Sequence, residues 1–460
     1  LLDDLMKAVA TANLFPVVPV VASNGLGTEE LLSLIEHGFP TPSLHPNPEF
    51  TRLNGEKTGP VPTDPAAPLV AQVWRTSIDP FMGQLNYVRI ISGTMTTGMS
   101  LQNNANESKE TVSSMFTLVG KKQNMVTTAL PGDVVAIPKF KSVKTGNTLA
   151  AVGNLTKMPE IAFPQPVYFM ALAAKTQADE NKLSTALHRV LDADPTLHYE
   201  KNTETKEVIL KRLGDVHIVV AVNLMRTLSN VNVTLSTPKV PYRETVTSAG
   251  QGHYRHKKQS GGRGQFGEVY LKVEPLRAGD TEWFVNETVG GSIPGNFMPA
   301  VQKGVHEGML AGSVAGYPVQ NIKVRIYDGS YHDVDSSEIA FKIAGSRALR
   351  EGMSNAKPVL LEPIMQMKIT IPETFMGAIS GDMPHKRGRV LGMEADEGVQ
   401  VITAEAPMAE LFKYAAELRS ITGGQGSFSM QFDRYDVVPA NVAQKIIAEA
   451  AKHRVEESDE

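Results

Sequence analysis

Residues 328–338 form a polar stretch in which one histidine and several carboxylates lie close together. Its sequence is Asp-Gly-Ser-Tyr-His-Asp-Val-Asp-Ser-Ser-Glu. Imidazole and carboxylates bind several divalent ions, so one interpretation is a metal site formed by Asp328, His332, Asp333 and Asp335. The spacing of Asp335 and Glu338 instead matches a helix capping box, and Asp328 suits a turn. Since this leaves no complete ligand set, we predict no metal ion and expect the central Tyr-His-Asp segment to contact a partner.

A second stretch is rich in glycine, with glycines at 262, 264 and 267 followed by Val269. This spacing fits the loop that protein kinases place over ATP and, loosely, the dinucleotide-binding fingerprint. A kinase also needs a lysine strand, an H-R-D loop and a D-F-G, and none of these follows. A dinucleotide site needs a helix directly after the glycines, whereas residues 268–274 alternate like a strand, as do residues 253–258. We therefore predict a hairpin connection.

No Gly-x-x-x-x-Gly-Lys-Ser/Thr motif occurs in the chain. The motif supplies the backbone cradle and the lysine that hold nucleotide phosphates with Mg²⁺. We therefore expect no GTP hydrolysis, no catalytic residue and no cofactor in this chain. A rival interpretation is a phosphate-binding enzyme that uses the 262–267 glycine loop, and a thermal-shift assay with ATP would reveal it.

Basic residues are concentrated just before the glycine loop, at Arg255, Lys257 and Lys258. Most runs of this kind are only a solvated face. Lysine and arginine side chains can also neutralise the phosphates of a nucleic acid.

The elements that must position the 328–338 loop can be predicted from its flanks. Residues 322–327 alternate between apolar and polar side chains, which predicts a strand with Ile322, Val324 and Ile326 on one face. Beyond the loop we predict a helix, capped by Asp335, that buries these apolar side chains: Ile339, Phe341, Ile343 and Ala344.

Composition sets the outer limits. At 460 residues the chain is too long for one hydrophobic core, so about three to five domains are expected. It is 42% hydrophobic, with no apolar run long enough to span a bilayer. The absence of cysteine excludes disulfides and thiolate metal sites, which suits the cytoplasm. Because the net charge is −4, any nucleic-acid contact must come from local basic patches. Since the chain begins without an initiator Met, inside an apparent helix, we expect it to be the C-terminal part of a longer protein.

The pattern of short elements predicts a multidomain α+β protein. Residues 1–40 suggest the end of an α/β domain, with a strand at 15–22 and a helix at 28–35. Residues 41–68 suggest a linker, and the short strands and turns of 69–151 predict a small β-barrel.

The order β-α-β-β-α-β then occurs twice, in residues 166–236 and 361–432, which predicts two ferredoxin-like split βαβ units. Residues 242–357 between them form a separate α/β segment, and residues 441–455 a final amphipathic helix.

Five segments, in order, resemble bacterial elongation factor G, the translocase of the ribosome. They are Ser260–Gly267, Val289–Pro294, Gly329–Glu338, Leu361–Ile364 and Leu418–Gly423, and the resemblance extends from about residue 15 to about residue 439. It implies an elongation factor G-like translational GTPase without most of its GTPase (G) domain. The implied segments are 1–40, the last piece of the G domain; 66–152, the domain II β-barrel; 163–238 and 359–436, the ferredoxin-like domains III and V; 240–358, a domain IV of the ribosomal-protein-S5-like α/β type; and 437–460, a C-terminal helix.

The same resemblance implies that the two loops meet at the tip of domain IV and reach the tRNA–mRNA duplex in the ribosomal A site. The expected tip contacts are Arg263, Gly264, Gln265, Tyr331, His332 and Asp333. The expected contacts to RNA phosphates are Arg255, Lys257 and Lys258, and Gln265 and His332 would form hydrogen bonds to sugars or base edges. The implied partners are ribosomal RNA and proteins and the A-site tRNA–mRNA, with no membrane. The protein is expected to be a cytoplasmic monomer that promotes translocation, and GTP and Mg²⁺ would belong to the parent protein.

One segment departs from the family pattern. Residues 211–218 are Lys-Arg-Leu-Gly-Asp-Val-His-Ile where family members usually have Gly-x-Gly-Glu-Leu-His-Leu-Glu. In the family this region faces the GTPase domain, so the change puts normal coupling of GTP hydrolysis in doubt and favours a paralogue. A ribosomal protection or recycling factor is the alternative within the family, although the 329–338 loop favours the translocase.

Overall fold

The computed structural model describes residues 2–44, 47–79, 81–120, 122–203, 205–259, 264–396 and 398–458. The chain divides into two compact units. The first comprises Leu1–Pro166, Leu172–Tyr199 and Leu210–Leu235, and the second Val167–Ala171, Glu200–Ile209 and Ser236–Glu460. Within the described ranges, no helix is both long and apolar enough to cross a membrane.

The N-terminal residues contain α1 (Leu2–Ala10) and α2 (Thr28–Gly38). The strand predicted at 15–22 is wrong, because only Val21 pairs, in an isolated bridge with Leu26. The apolar side chains that suggested this strand are solvent-exposed, with Phe15 78% and Val17 92% accessible. Hydrophobic sequence therefore produces no strand here, since no neighbouring strand in the described chain pairs with it.

Residues 41–68 are more than a linker. They contain β1 (Glu49–Arg52) and β2 (Lys57–Pro60), which pair antiparallel, and β1 also pairs with β13 (Thr156–Lys157). Phe50 of β1 is fully buried in a small apolar cluster. One buried aromatic in a polar segment was too weak a pattern to predict this sheet.

An antiparallel sheet of eight strands, in the order β7-β6-β12-β3-β4-β11-β8-β9, curls around one apolar core, and β5 and β10 pair separately. The predicted β-barrel is confirmed, with no helix among its described residues. Its strands are β3 (Val70–Asp79), β4 (Gly83–Ser92), β5 (Met95–Thr96), β6 (Ser100–Asn103), β7 (Ser108–Thr111), β8 (Met115–Val119), β9 (Lys122–Val126), β10 (Thr128–Ala129), β11 (Val134–Pro138) and β12 (Thr148–Ala151).

The first βαββαβ repeat forms a sheet of order β15-β16-β14-β17, the arrangement of a ferredoxin-like unit. Leu183, Leu187 and Val190 are buried along one face of α3, as their helical spacing predicts. The elements are β14 (Tyr168–Ala174), α3 (Gln177–Ala193), β15 (His198–Lys201), β16 (Val208–Arg212), α4 (Asp215–Ser229) and β17 (Val233–Ser236).

The segment that carries both candidate loops has a sheet of order β19-β20-β22-β21. Its elements are β18 (Arg243–Val246), β19 (Gly250–Lys258), β20 (Gln265–Pro275), β21 (Phe284–Asn286), α5 (Met298–Ala311), β22 (Ile322–Ser330) and α6 (Glu338–Asn355). Ile322, Val324 and Ile326 are buried against the helices, which confirms the alternation predicted for β22. β19 packs closely on α6, since a Cβ at Gly252 would lie 2.0 Å from the carbonyl oxygen of Ala348.

Two predictions about α6 are wrong. Its N-cap is Ser337, whose hydroxyl accepts a hydrogen bond from the backbone N–H of Ala340, and not Asp335. The Asp335 carboxylate is instead used by a residue of the other loop, as shown below. Ile339 is 62% exposed, whereas Phe341 and Ala344 are buried and Ile343 is partly buried. Ile339 is in the first turn of the helix and lies on its solvent side.

The second βαββαβ repeat has the order β24-β25-β23 with β26 on the other side of β23, so both ferredoxin-like predictions are confirmed. β18 extends this sheet by pairing with β23, with Arg243 opposite Leu361. The elements are β23 (Pro358–Pro372), α7 (Met376–His385), β24 (Arg389–Asp396), β25 (Val399–Pro407), α8 (Tyr414–Thr422), β26 (Ser427–Val437) and α9 (Ala440–Ser458). Short 3₁₀ turns span Gly295–Phe297, Glu373–Phe375 and Met408–Glu410.

Candidate nucleic-acid interface

The two candidate loops lie side by side. β19 and β20 form the predicted hairpin, whose last pair is Lys258 and Gln265. The backbone N–H of Phe266 donates to the carbonyl of Asp335 at 2.9 Å, and the Ser336 hydroxyl donates to the carbonyl of Phe266 at 3.1 Å. The N–H of Gly264 donates to the Asp335 carboxylate at 2.9 Å. These bonds join the end of the hairpin to the loop between β22 and α6.

His332 is held by its own loop in one orientation. Its Nδ1 accepts hydrogen bonds from the backbone N–H groups of Val334, at 3.3 Å, and Asp335, at 3.2 Å. A nitrogen that accepts carries no proton, so the ring proton is on Nε2. The Asp335 carboxylate lies 3.7 Å from the same Nδ1. The side chain is 55% exposed and therefore offers Nε2–H to a partner.

Gln265 also has a fixed neighbour. Its Oε1 lies 2.9 Å from Nε2 of His256 on the facing strand, and both side chains are partly buried. An amide oxygen only accepts, so with the carboxamide in this orientation Nε2–H of His256 is the donor.

Arg255 is less available to a phosphate than its sequence suggests. Its guanidinium donates to both carboxylate oxygens of Glu268, at 2.9 and 3.1 Å, and His253 lies 2.8 Å from the same carboxylate. Glu268 is buried, which alone would raise its pKa, but the hydrogen bonds from Arg255 and His253 outweigh this and lower the pKa. The same hydrogen bond and charge raise the pKa of Arg255.

The remaining predicted contacts are exposed or lie outside the described residues. Lys257 and Lys258 are exposed and, because side chains alternate along β19, they point to opposite faces of the hairpin. Neither makes an ion pair within the described chain. Tyr331 is 45% accessible and Asp333 is exposed. Arg263, with residues 260–262, lies outside the described residues.

The metal and phosphate alternatives find no support in this geometry. Across the described ranges, no group of three or more His, Asp or Glu side chains is placed to hold a metal ion. Asp328 lies in β22 opposite Tyr270 and not in the predicted turn. A phosphate at Gly264 would compete with the Asp335 carboxylate for the same N–H and be repelled by it. A strand, not a helix N-terminus, follows the glycines.

Four features of this site were not predicted. They are the side chains of His256, Glu268 and Ser336, and the hydrogen bond between the Asp335 carboxylate and the N–H of Gly264. Ser336 is 7% exposed, accepts from the N–H of His332 at 2.9 Å and donates to the other loop. The sequence does show polar residues at the buried ends of two strands. Their hydrogen-bond partners, however, depend on the strand register and on residues about 70 positions away in the sequence.

Four family models match this chain in order. They are "Elongation factor G domain 2" at residues 68–152, "Elongation Factor G, domain III" at 163–237, "Elongation factor G, domain IV" at 238–357 and "Elongation factor G C-terminus" at 359–446. An "Elongation factor G-like protein" of Thermotoga maritima is 36% identical over 460 residues, 99% of this chain and 67% of the relative. The chain belongs to the elongation factor G-like family.

Two further comparisons agree. An elongation factor G-like protein of Mycobacterium tuberculosis (strain CDC 1551 / Oshkosh) is 40% identical over 467 residues, covering 98% of this chain. The chain spans 65% of the length of that relative. A crystal structure of a Thermus thermophilus protein matches with a TM-score of 0.76 and 35% identity, over 98% of this chain and 66% of the other.

Residues 211–218, which depart from the elongation factor G pattern, connect neighbouring elements of the structure through Arg212. Arg212, at the end of β16, has a buried side chain that pairs with Asp194, the C-cap of α3, and donates to the carbonyl of His217 at 3.2 Å. Burial raises the pKa of Asp194, but hydrogen bonds from Thr196 and Arg212 hold it below its usual value. In this chain the altered segment therefore ties α3, β16 and α4 together.

Proposed function

We propose that this chain is the ribosome-binding part of a translation factor, and that its domain IV tip promotes tRNA–mRNA movement from within the A site. The supporting observation is the pair of joined loops, in which His332 lies in the loop after β22 with its Nε2–H available and Gln265 lies at the start of β20 with its amide N–H groups available. Both are hydrogen-bond donors, and RNA offers acceptors in its phosphates, ribose hydroxyls and base edges. Catalytic power would come from GTP hydrolysis with Mg²⁺ in a G domain of the parent protein.

The physical idea is a lever in which domains II, III and V bind the ribosome and hold domain IV in the A site. Domain IV is well suited to this role, since β18 is hydrogen-bonded into the sheet of domain V. The partners would be ribosomal RNA, ribosomal proteins and the A-site tRNA–mRNA, and the factor would act as a cytoplasmic monomer.

The test uses the parent factor in a single-turnover translocation assay on ribosomes with A-site tRNA. His332→Ala should slow translocation and leave the melting temperature nearly unchanged, because surface substitutions usually alter stability by less than about 0.5 kcal/mol. His306→Ala, an exposed histidine on α5, is the matched control and should translocate normally. If His332→Ala translocates at the parental rate, the tip assignment is wrong.

A second measurement addresses the nucleotide. The isolated chain should bind neither GTP nor GDP, because the sequence has no phosphate cradle. Calorimetry that gives a Kd below about 10 μM would be too tight for a chance site and would contradict this part of the proposal.

A further inference from the structure

His256 and Gln265 lie diagonally across the β19–β20 ladder. His256 is opposite Gly267 and Gln265 is opposite Lys258, so the two side chains share one face of the hairpin. Such diagonal neighbours are within reach of long side chains. A Cβ at Gly267 would lie 3.0 Å from the carbonyl carbon of Ala340, so α6 packs on this face of the hairpin. The contact is 2.9 Å between Nε2 of His256 and Oε1 of Gln265.

We infer that His256 is a positioning residue that fixes which end of the Gln265 carboxamide faces the RNA. By donating Nε2–H to Oε1, it holds the acceptor end against the hairpin and leaves the NH₂ end for the partner. This inference rests on the proposed function and deepens it. The tip would then present only donors at Gln265 and His332, and its target would be oxygen or nitrogen acceptors of RNA.

Without His256 the carboxamide can turn over, because both of its ends form hydrogen bonds and nothing else in its described contacts distinguishes them. In half of its orientations it would then place an acceptor against an acceptor. The added cost of ordering a free side chain on binding predicts about three- to tenfold weaker association.

The binding test uses ribosomes that carry mRNA and A-site tRNA, with co-sedimentation of the chain and its variants. His256→Phe keeps a ring but removes the donor, and should weaken binding about three- to tenfold. His256→Gln can form a hydrogen bond to either end of the Gln265 carboxamide, so it should keep the contact but recover only part of the affinity. In a Gln265→Ala background, His256→Phe should cost nothing more, because the residue it positions is gone.

A second measurement does not need the ribosome. In the chain labelled with ¹⁵N-glutamine, the side-chain NH₂ signals of Gln265 are identified by their absence in Gln265→Ala. They should move in His256→Phe, with the unfolding midpoint unchanged.

Each outcome decides a different claim. Unmoved Gln265 signals in His256→Phe would overturn the positioning role whatever the ribosome shows. An equal loss of binding with and without Gln265 would also overturn it, since His256 would then act through the fold. If neither the parent chain nor any variant binds ribosomes, the proposed function fails, and the Gln265 signals alone confirm or refute the contact.

Discussion

Glu244 should be among the most sensitive single positions in the second unit. Its side chain is fully buried, and its carboxylate accepts hydrogen bonds from five consecutive backbone N–H groups, residues 313–317, at 2.6 to 3.1 Å. The Ser313 hydroxyl adds a sixth at 3.2 Å. Successive N–H groups that converge on one anion form a nest, here filled by a side chain of the same domain.

The magnitude follows from what Glu244→Ala leaves behind. Hydrogen bonds to a charged group contribute about 1.5–3 kcal/mol each, so a simple sum over five would be far too large. Water can enter the space and the loop can relax, which brings the loss toward the roughly 3–5 kcal/mol typical of breaking a buried charged contact. We expect Glu244→Ala to lower the free energy of unfolding by about 4 kcal/mol, and Glu244→Gln, which keeps one acceptor oxygen, by about 2 kcal/mol.

The chain offers a convenient assay, because it has only two tryptophans, Trp74 in the first unit and Trp283 in the second. In a Trp74→Phe background, Trp283 fluorescence during urea unfolding reports the second unit alone. Glu373→Gln, an exposed glutamate of the same unit, is the control and should change stability by less than about 0.5 kcal/mol. A loss below about 1 kcal/mol for Glu244→Ala would show that the nest contributes little to stability.

Three further predictions concern the tip. Replacing Lys257 and Lys258 by Ala should lower the slope of log affinity against log salt concentration for ribosome binding by about one per lost phosphate contact. Lys303→Ala on α5 is the control and should leave the slope unchanged. An unchanged slope for the double variant in co-sedimentation would show that the two lysines are only a solvated face. The pKa of Glu268 is lowered in the folded state, so its stabilisation is present above about pH 4.3, the unfolded value, and is lost as pH falls through the folded pKa. The difference in unfolding free energy between the parent and Glu268→Gln should therefore shrink on acidification, and a constant difference would contradict this. Ser336→Ala should accelerate amide exchange in both tip loops, since its hydroxyl joins them, and unaltered exchange would show that the backbone bonds suffice.

Patterns that depend on one element were predictable from the sequence. The alternation of residues 322–326 reappears as the burial of β22, and the spacing of Leu183, Leu187 and Val190 as the buried face of α3. The order of elements in the two ferredoxin-like repeats was predictable for the same reason, because each helix and strand carries its own periodicity.

Features that depend on a distant partner were not predictable. Asp335 and Ser337 are both good N-cap residues, and the sequence near α6 does not distinguish them. In the structure the Asp335 carboxylate accepts a hydrogen bond from the N–H of Gly264, and Ser337 is the N-cap. Likewise Arg255 suggested a free cation until the strand register placed it beside Glu268. The predicted roles of the tip residues in RNA contact remain predictions.

The base of domain IV has the construction that the proposed lever requires. A tip that pushes on RNA transmits force only if the joint behind it resists bending. Here the joint combines strand pairing between β18 and β23, the Glu244 nest, and a hydrogen bond at 3.0 Å from the hydroxyl of Tyr435 to the carbonyl of Pro241. Arg243 lies over the Tyr435 ring at 5.4 Å. Tyr242 and Tyr317 are edge to face at 5.3 Å, in the cluster where α9 packs.

Because Glu244 belongs to β18 and also holds the 313–317 loop, loss of its carboxylate would loosen two of these contacts together. Glu244→Gln does not touch the tip contacts. It should nevertheless slow translocation by the parent factor, because it loosens the joint behind the tip. Normal translocation by a folded Glu244→Gln factor would mean that the joint need not be stiff.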